Sequence, residues 1–402
     1  MKKLSLILVF SLVMLVNTQF VQATGENTPE IKSESAVMID AKTGDILYQK
    51  NSSEQMYPAS ITKIITGILA IESGKLDDSV VVSSDAVRAE GTRVYLMEDE
   101  QVPLKKLVQG LLINSGNDAA VAIAEYLAGD VDTFADQMNE FAKKVGADNT
   151  HFVNPNGLFD EEHYTTAEDM AKITQYAMRN EEFREIVSTK ELPWVGEGWE
   201  TTLRNHHQLL WDYPGTIGVK NGYVDESKHT LVTAVSRDNL DVIIVTMKAP
   251  TSRTAYWDTM ALGDYGFANF ERQTLSAGTK IEALNGKTYP LKEDLAVTLP
   301  KGEEPVQEVS SDGELQLKDS SGHVLLSHTL FKEKEKEKEA SATVDNKSVE
   351  TVDSTFMQSV VKAGIFLYSG LLLLLAFLVI LRMRSQKHKH KKMRQVARSY
   401  VK

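Results

Sequence analysis

The sequence predicts an α/β fold in which helices pack against an antiparallel sheet. Two strand-like stretches, Ser35 to Asp40 and Ile46 to Gln49, flank the turn residues Lys42-Thr43-Gly44-Asp45, as in a hairpin. Helical spacing of apolar residues dominates the middle of the chain, and β-branched stretches return over 216–222, 230–235 and 242–247. A last helix opens at Pro250. Two strands, a block of helices, three strands and a helix favour one helix-covered sheet.

The helical block consists of amphipathic stretches separated by polar loops. The loop Asn114-Ser115-Gly116-Asn117 lies between two of these stretches and is rich in short polar side chains. The predicted helices are 60–73, 103–113, 118–127, 133–145 and 166–178.

Composition divides the chain into domains. Residues 24–272 hold the sheet-and-helix pattern, and residues 273–331 show short alternating strands with Gly and Pro turns, which predict a small all-β domain. Residues 332–360 begin with a Lys-Glu alternation and stay polar, as in a solvated stalk.

Both ends of the chain carry targeting patterns. Residues 1–23 have a basic start, an apolar run and a small-residue cleavage point, which predict a secretory signal peptide. Residues 361–381 are long and apolar enough for a transmembrane helix, and residues 382–402 are basic without one acid. Because basic residues that flank a membrane span stay on the cytoplasmic side, we expect a single-pass cell-membrane protein with the bulk of the chain extracytoplasmic and the C-terminus cytoplasmic.

Charge and cysteine content exclude several classes of protein. Residues 24–381 carry 33 basic and 56 acidic groups, a formal charge of −23 that disfavours nucleic acid as a partner. The chain has no cysteine, which rules out thiolate catalysis, cysteine-ligated zinc and disulfides. His206 and His207 are assigned to packing or surface rather than to a metal, and the aromatic residues from Trp194 to Trp211 to packing rather than a groove.

The sequence Pro58-Ala59-Ser60-Ile61-Thr62-Lys63 carries the central chemical signal. On a helix, Ser60 and Lys63 share a face, so the amine can accept the hydroxyl proton if its own pKa is lowered. Two further groups strengthen this weak pattern: Ser115-Gly116-Asn117 in its loop, and Lys220-Asn221-Gly222 on a predicted strand. A lysine beside a glycine suits the binding of a carboxylate against backbone.

These three motifs together resemble those of the penicillin-binding proteins that are D-alanyl-D-alanine carboxypeptidases, peptidase family S11. The resemblance covers roughly residues 34 to 330 and includes Thr43-Gly44, Asn154 to Leu158 and Thr166 to Met170. It implies a β-lactamase/transpeptidase-like fold, no metal or cofactor, substrates that are peptidoglycan stem peptides ending in D-Ala-D-Ala, and β-lactams as covalent inhibitors.

The resemblance also implies a role for each motif residue. Ser60 would form the acyl-enzyme, and Lys63 would accept its proton. Ser115 would relay a proton to the leaving D-alanine, and Asn117 would hold Lys63 and the substrate amide. Lys220, Asn221 and Gly222 would bind the terminal carboxylate, and the backbone N–H groups of Ser60 and Tyr223 would form the oxyanion hole.

One position departs from the family pattern, since Asn221 stands where Thr or Ser is usual. Three alternatives therefore remain. The first is a catalytically impaired peptidoglycan-binding or penicillin-binding protein, with Asn221 marking decay. The second is a serine β-lactamase, although no Glu is well placed for deacylation after the Ser115 loop. The third is a D,D-endopeptidase that uses the same residues on peptide cross-links.

Overall fold

A computed structural model describes residues 28–331 with the exception of positions 285 and 312. The predicted signal peptide, stalk, transmembrane helix and basic tail lie outside these residues. Among the helices of the described ranges, none is long and apolar enough to cross a membrane.

The described residues form nine α-helices and sixteen strands. The helices are α1 (Lys63–Glu72), α2 (Ser84–Val87), α3 (Leu104–Ile113), α4 (Asn117–Ala128), α5 (Val131–Lys144), α6 (Ala167–Ala177), α7 (Glu181–Ser188), α8 (Leu209–Asp212) and α9 (Ser252–Asn269). The strands are β1 (Ser35–Asp40), β2 (Ile46–Lys50), β3 (Ser79–Val81), β4 (Gln101–Pro103), β5 (Glu191–Val195), β6 (Glu200–Arg204), β7 (Thr216–Val224), β8 (Lys228–Arg237), β9 (Leu240–Ala249), β10 (Phe270–Leu275), β11 (Lys280–Glu282), β12 (Thr288–Pro290), β13 (Leu295–Pro300), β14 (Val306–Val309), β15 (Glu314–Lys318) and β16 (Val324–Thr329).

The main sheet has five antiparallel strands in the order β2-β1-β9-β8-β7. The predicted antiparallel sheet with helices is therefore confirmed. The hairpin β5–β6 was not predicted, because its polar residues and Pro193 hide the strand alternation. Strand β7 lies at the edge of the sheet, which leaves its outer side open.

The sheet separates two hydrophobic cores, because apolar side chains along β8 point alternately to its two faces. Val232 and Ala234 face the larger core, which contains α1, α3, α4 and α6. Leu231 and Val235 face the smaller core on the opposite side, against α9. Burial on both faces fixes the register of β8, because a one-residue slip would exchange its two apolar sets.

Polar residues at the helix starts determine where several helices begin. The side chains of Asp130, Thr166, Asn180 and Thr251 each accept a hydrogen bond from the backbone N–H three residues further on. Such caps satisfy N–H groups that have no partner inside the helix.

Strands β10 to β16 build a smaller core of their own. Leu295, Val297 and Leu299 alternate along β13 and are buried there, on the one face that their spacing predicts. This part of the chain meets the main sheet at the buried carboxylate of Asp40, which receives two hydrogen bonds from Arg272, at 2.8 and 2.9 Å, and one from Thr298 at 2.6 Å.

Candidate active site

Ser60 lies in a short 3₁₀ turn, Ala59–Thr62, that leads directly into α1. Lys63 is the first residue of α1, so its side chain returns along the turn, and its Nζ lies 2.9 Å from Ser60 Oγ. Lys63 is wholly buried, whereas Ser60 is partly exposed. The predicted pairing of these two side chains is thus present, with the hydroxyl facing the cleft and the amine behind it.

The surroundings of Lys63 favour its neutral form. Burial, and then the charge of nearby Lys220, hold the pKa of Lys63 well below its ordinary value, against an opposing effect of Asp118. Lys63 Nζ also donates to the backbone carbonyl of Asn156, at 2.6 Å. With one N–H bound there, the lone pair of a neutral amine can face the Ser60 hydroxyl.

The carbonyl of Asn156 belongs to a loop, residues 154–158, that packs on the Ser60 turn. Asn154 Oδ1 accepts from the N–H groups of Asn156 and Gly157 at 3.3 and 2.7 Å, which fixes the loop internally. A side chain at Gly157 would collide with the carbonyl of Ala59, and Gly157 has φ +83°, so this contact requires glycine.

A buried histidine ties the same region to the Ser60 turn. His163 Nδ1 accepts from the N–H of Val153 at 3.1 Å, so Nε2 carries the proton and donates to Thr62 Oγ1 at 2.9 Å. Burial lowers the pKa of His163 to about 3, which keeps the ring neutral. Sequence analysis placed neither His163 nor the Asn156 carbonyl in the site, and a backbone acceptor has no residue type to reveal it.

The loop with Ser115 and Asn117 lies at the start of α4, and both side chains are buried. Asn117 Nδ2 donates to the carbonyl of Glu90 at 2.5 Å, whereas Asn117 Oδ1 has no hydrogen-bond partner among the described residues. The predicted bond between Asn117 and Lys63 is not formed in this structure, where Lys63 binds Ser60 and Asn156 instead. Asn117 Oδ1 is therefore a buried acceptor without a partner in this part of the chain.

Asp118 supports this loop from behind. Its buried carboxylate accepts from the N–H groups of Val94, Leu96 and Ala119, at 2.9 to 3.2 Å. Burial raises the pKa of Asp118, and the bonds from Val94, Leu96 and Ala119 oppose that shift. The segment 94–96 is thereby fixed beside the Ser115 loop.

The third motif lies on edge strand β7. Lys220 is buried, and its Nζ donates to the backbone carbonyl of Asn221 at 3.0 Å, with Asn221 Oδ1 at 3.4 Å. Burial lowers the pKa of Lys220 to about 7. No hydrogen bond or ion pair joins Lys220 to a carboxylate of the described residues, so its ammonium is open to an anionic ligand.

Gly222 brings this strand against the Ser60 turn. A Cβ at Gly222 would lie 2.7 Å from the backbone nitrogen of Ser60 and 2.5 Å from Thr230 Oγ1. The strand therefore lies closer to the Ser60 turn than any side chain at position 222 would allow. Tyr223 follows with an exposed ring, whose hydroxyl donates to Asp225 at 2.6 Å.

Solved structures define the class to which this fold belongs. The chain resembles penicillin binding protein 5 from Haemophilus influenzae with a TM-score of 0.68 and 28% identity, over 76% of this chain and 97% of that one. It resembles penicillin binding protein 6B from Escherichia coli with a TM-score of 0.63 and 29% identity, over 76% and 96%. The chain therefore has the mixed α/β fold of penicillin-binding, transpeptidase-like proteins.

Sequence comparisons define the family. The D-alanyl-D-alanine carboxypeptidase model, peptidase family S11, matches residues 22–251. The D-alanyl-D-alanine carboxypeptidase DacF of Bacillus subtilis is 33% identical, over 76% of this chain and 83% of that protein. DacA of Haemophilus influenzae is 30% identical, over 85% and 88%. The chain belongs to the D-alanyl-D-alanine carboxypeptidase family S11, and it is a hydrolase.

Proposed function

We propose that this enzyme removes the terminal D-alanine from peptidoglycan stem peptides through an acyl-enzyme on Ser60. The observation that carries the proposal is the Lys63 amine, wholly buried and 2.9 Å from Ser60 Oγ. A serine needs an adjacent base to act as a nucleophile, and a lysine serves as one only when it is neutral.

In the proposed first step, Lys63 takes the Ser60 proton as Oγ attacks the carbonyl of the penultimate D-alanine. The backbone N–H groups of Ser60 and Tyr223 then stabilise the oxyanion, a contribution that the close approach at Gly222 supports. Ser115 relays a proton to the departing amine, and Asn117 Oδ1, which has no partner among the described residues, accepts from the substrate amide. Water finally hydrolyses the ester.

Lys220 and Asn221 would bind the terminal carboxylate of the substrate. A buried ammonium without a carboxylate partner in the described part of the chain is a strong site for the terminal carboxylate. Asn221 Oδ1 faces the ammonium, which leaves its Nδ2 to donate to the same carboxylate, as a Thr hydroxyl would.

We also propose that the reaction takes place outside the cell membrane. The predicted signal peptide and transmembrane helix would place the catalytic domain outside the cell membrane, next to peptidoglycan, in the service of cell-wall maturation and cell shape.

The proposal is tested by incubating the protein with a pentapeptide that ends in D-Ala-D-Ala and measuring free D-alanine. A fluorescent penicillin should label the wild type covalently, and Ser60→Ala should abolish both the label and the release of D-alanine. Ser73→Ala, at the far end of α1, is the matched control and should behave as wild type. A wild type that binds muropeptides but is not labelled would instead be the catalytically impaired binding protein that Asn221 raises as an alternative.

A further inference from the structure

A surface groove opens between α8 and the first turns of α9, beside the smaller core. One pocket of the groove has a volume of 410 Å³, and its lining includes Gln208, Asp212, Arg253 and Trp257. A second pocket, of 590 Å³, contains Trp211 and shares Gln208 and Asp212 with the first. The two pockets therefore join into one elongated groove, which we call the α8–α9 groove, and these five residues lie outside the three motifs.

Hydrogen bonds between the two helices hold the groove open. The backbone N–H of Gln208 donates to the hydroxyl of Tyr256 at 3.4 Å, and that hydroxyl donates to the carbonyl of His206 at 3.1 Å. The ring of Tyr256 also meets the ring of buried His207 edge-on, with 6.1 Å between their centres. Because these contacts fix α8 to the start of α9, a ligand would enter a groove that is already formed.

Two tryptophan rings line the groove. Trp257 is 59% exposed, more than any other Trp, Tyr or Phe of the described residues, and it belongs to neither core of the main sheet. Its neighbour Tyr256 is buried, so the helix is firmly packed at the point where Trp257 faces outwards. Trp211 is half-buried in the second pocket. The groove thus offers two flat apolar surfaces, separated by the polar residues that the two pockets share.

The polar side chains of the groove are not used by the fold. Among the described residues, the side chains of Gln208, Asp212 and Arg253 form no hydrogen bond or ion pair. They supply an amide, a carboxylate and a guanidinium, and therefore both donors and acceptors. The guanidinium of Arg253 also lies 5.7 Å from the centre of the Trp257 ring. Since the charges of Arg253 and Asp212 offset each other, the first pocket has no net formal charge.

These features specify the chemistry of the ligand. An uncharged sugar ring can pack its C–H face on an indole, while its hydroxyl and acetamido groups bond to amide, carboxylate and guanidinium side chains. An elongated groove with two indole rings suits a chain of such sugars better than a single sugar. A polyanion is disfavoured, because residues 24–381 carry a formal charge of −23.

We infer that the α8–α9 groove binds the glycan chain of peptidoglycan, apart from the Ser60 cleft that takes the stem peptide. This inference rests on the proposed function, because it takes peptidoglycan as the substrate. Sugar rings pack on Trp257 and Trp211 and bond to the polar side chains between them. This second attachment raises the local concentration of stem peptides at the enzyme, so it lowers KM for peptides that are still joined to glycan.

The binding test uses the full protein and a hexasaccharide of N-acetylglucosamine, a probe with acetamido sugar rings but without peptide or charge. The wild type should bind it in isothermal titration calorimetry, with an affinity that changes little between low and high salt because the probe is neutral. Trp257→Ala should lower the affinity about tenfold through the loss of one aromatic anchor, and Trp257→Phe should lie between. Absence of binding by the wild type, or equal binding by Trp257→Ala, would overturn the inference.

The kinetic test compares a free pentapeptide with the same pentapeptide attached to glycan strands, both assayed by free D-alanine. Trp257→Ala should raise KM for the attached peptide severalfold at unchanged kcat, and it should change kcat/KM for the free peptide less than about twofold. An equal loss on both substrates would overturn the inference, because the substitution would then act through the Ser60 cleft.

The matched control is Leu284→Ala. Leu284 is a large apolar residue, 78% exposed, that follows β11 and lines neither pocket of the groove. Its substitution should change neither the affinity for the hexasaccharide nor either KM. Failure of the wild type on the free pentapeptide would contradict the proposed function itself, whereas binding of the hexasaccharide is measured without a peptide and tests the groove alone.

Discussion

At the scale of single residues, the cleft depends on two buried lysines with different protonation. Lys63 has a pKa held well below its ordinary value by burial and by Lys220, whereas burial alone brings the pKa of Lys220 to about 7. The charge of Lys220 disfavours a second charge on Lys63, so the arrangement favours a neutral Lys63 beside a cationic Lys220. A base and an anion site can then coexist in one cleft.

This difference predicts a bell-shaped dependence of kcat/KM on pH. Activity should rise as Lys63 loses its proton and fall as the pH passes about 7, where Lys220 of the free enzyme loses its charge. Lys220→Arg keeps a cation at all these pH values, so the falling limb should move to higher pH even if the rate is lower. A falling limb that stays in place in Lys220→Arg would assign the limb to another group.

Lys220 should also lower the stability of the protein. Its pKa is about 7 when folded and near 10.5 when unfolded, so the penalty is complete below pH 7 and declines as the pH rises towards 10.5. Lys220→Met should therefore raise the free energy of unfolding by roughly 2–4 kcal/mol at pH 6 and by less at pH 9. Urea unfolding at both pH values measures this, and a gain that does not depend on pH would reject the explanation.

At the scale of elements, the position of strand β7 against the Ser60 turn is decisive. Gly222→Ala would place a Cβ 2.7 Å from the Ser60 nitrogen, so the strand or the turn must move and the oxyanion donors separate. The rate of acylation by penicillin should fall about 10²–10³-fold. Ser236→Ala, at an exposed site on neighbouring β8, should label at the wild-type rate. Fast labelling of Gly222→Ala would show that the close approach is dispensable.

The sequence was sufficient to place the motif residues on their elements, because helical and strand periodicities fix which residues share a face. The i,i+3 spacing of Ser60 and Lys63 predicts their contact, and strand alternation places Lys220 and Gly222 together. The Asn156 carbonyl and the contact that Lys63 makes with it depend on how a distant loop folds back. No local pattern encodes that path.

At the scale of the whole molecule, the buried Asp40 links the main sheet to the strands that follow α9. Asp40→Ala would remove the main partner of the buried Arg272 guanidinium, which would keep only the longer ion pair with Asp241, at 3.6 Å, and a bond to the carbonyl of Asn239. We expect a loss of about 3–5 kcal/mol in the free energy of unfolding. The double variant Asp40→Leu with Arg272→Met should recover much of that loss. Denaturant unfolding of the wild type, Asp40→Leu, Arg272→Met and the double variant forms a double-mutant cycle that measures the coupling. A coupling near zero would exclude the ion pair as the link.

The targeting patterns predict where the whole chain resides. The full-length protein should sediment with membranes and resist extraction by salt, whereas a protein that ends at residue 355 should be released. A protease added to intact cells should remove the catalytic domain and spare the basic tail. Protection of the domain in that assay would reverse the proposed topology.

The buried ammonium of Lys220 has a consequence for how the enzyme behaves at the bench. A buried ammonium without a carboxylate partner among the described residues is stabilised by any small anion that fits, so acetate or accumulated D-alanine should raise the melting temperature in proportion to the logarithm of its concentration. The same anions should compete with substrate. The reaction would then slow as product builds up, and buffers without small carboxylates would give the fastest initial rates.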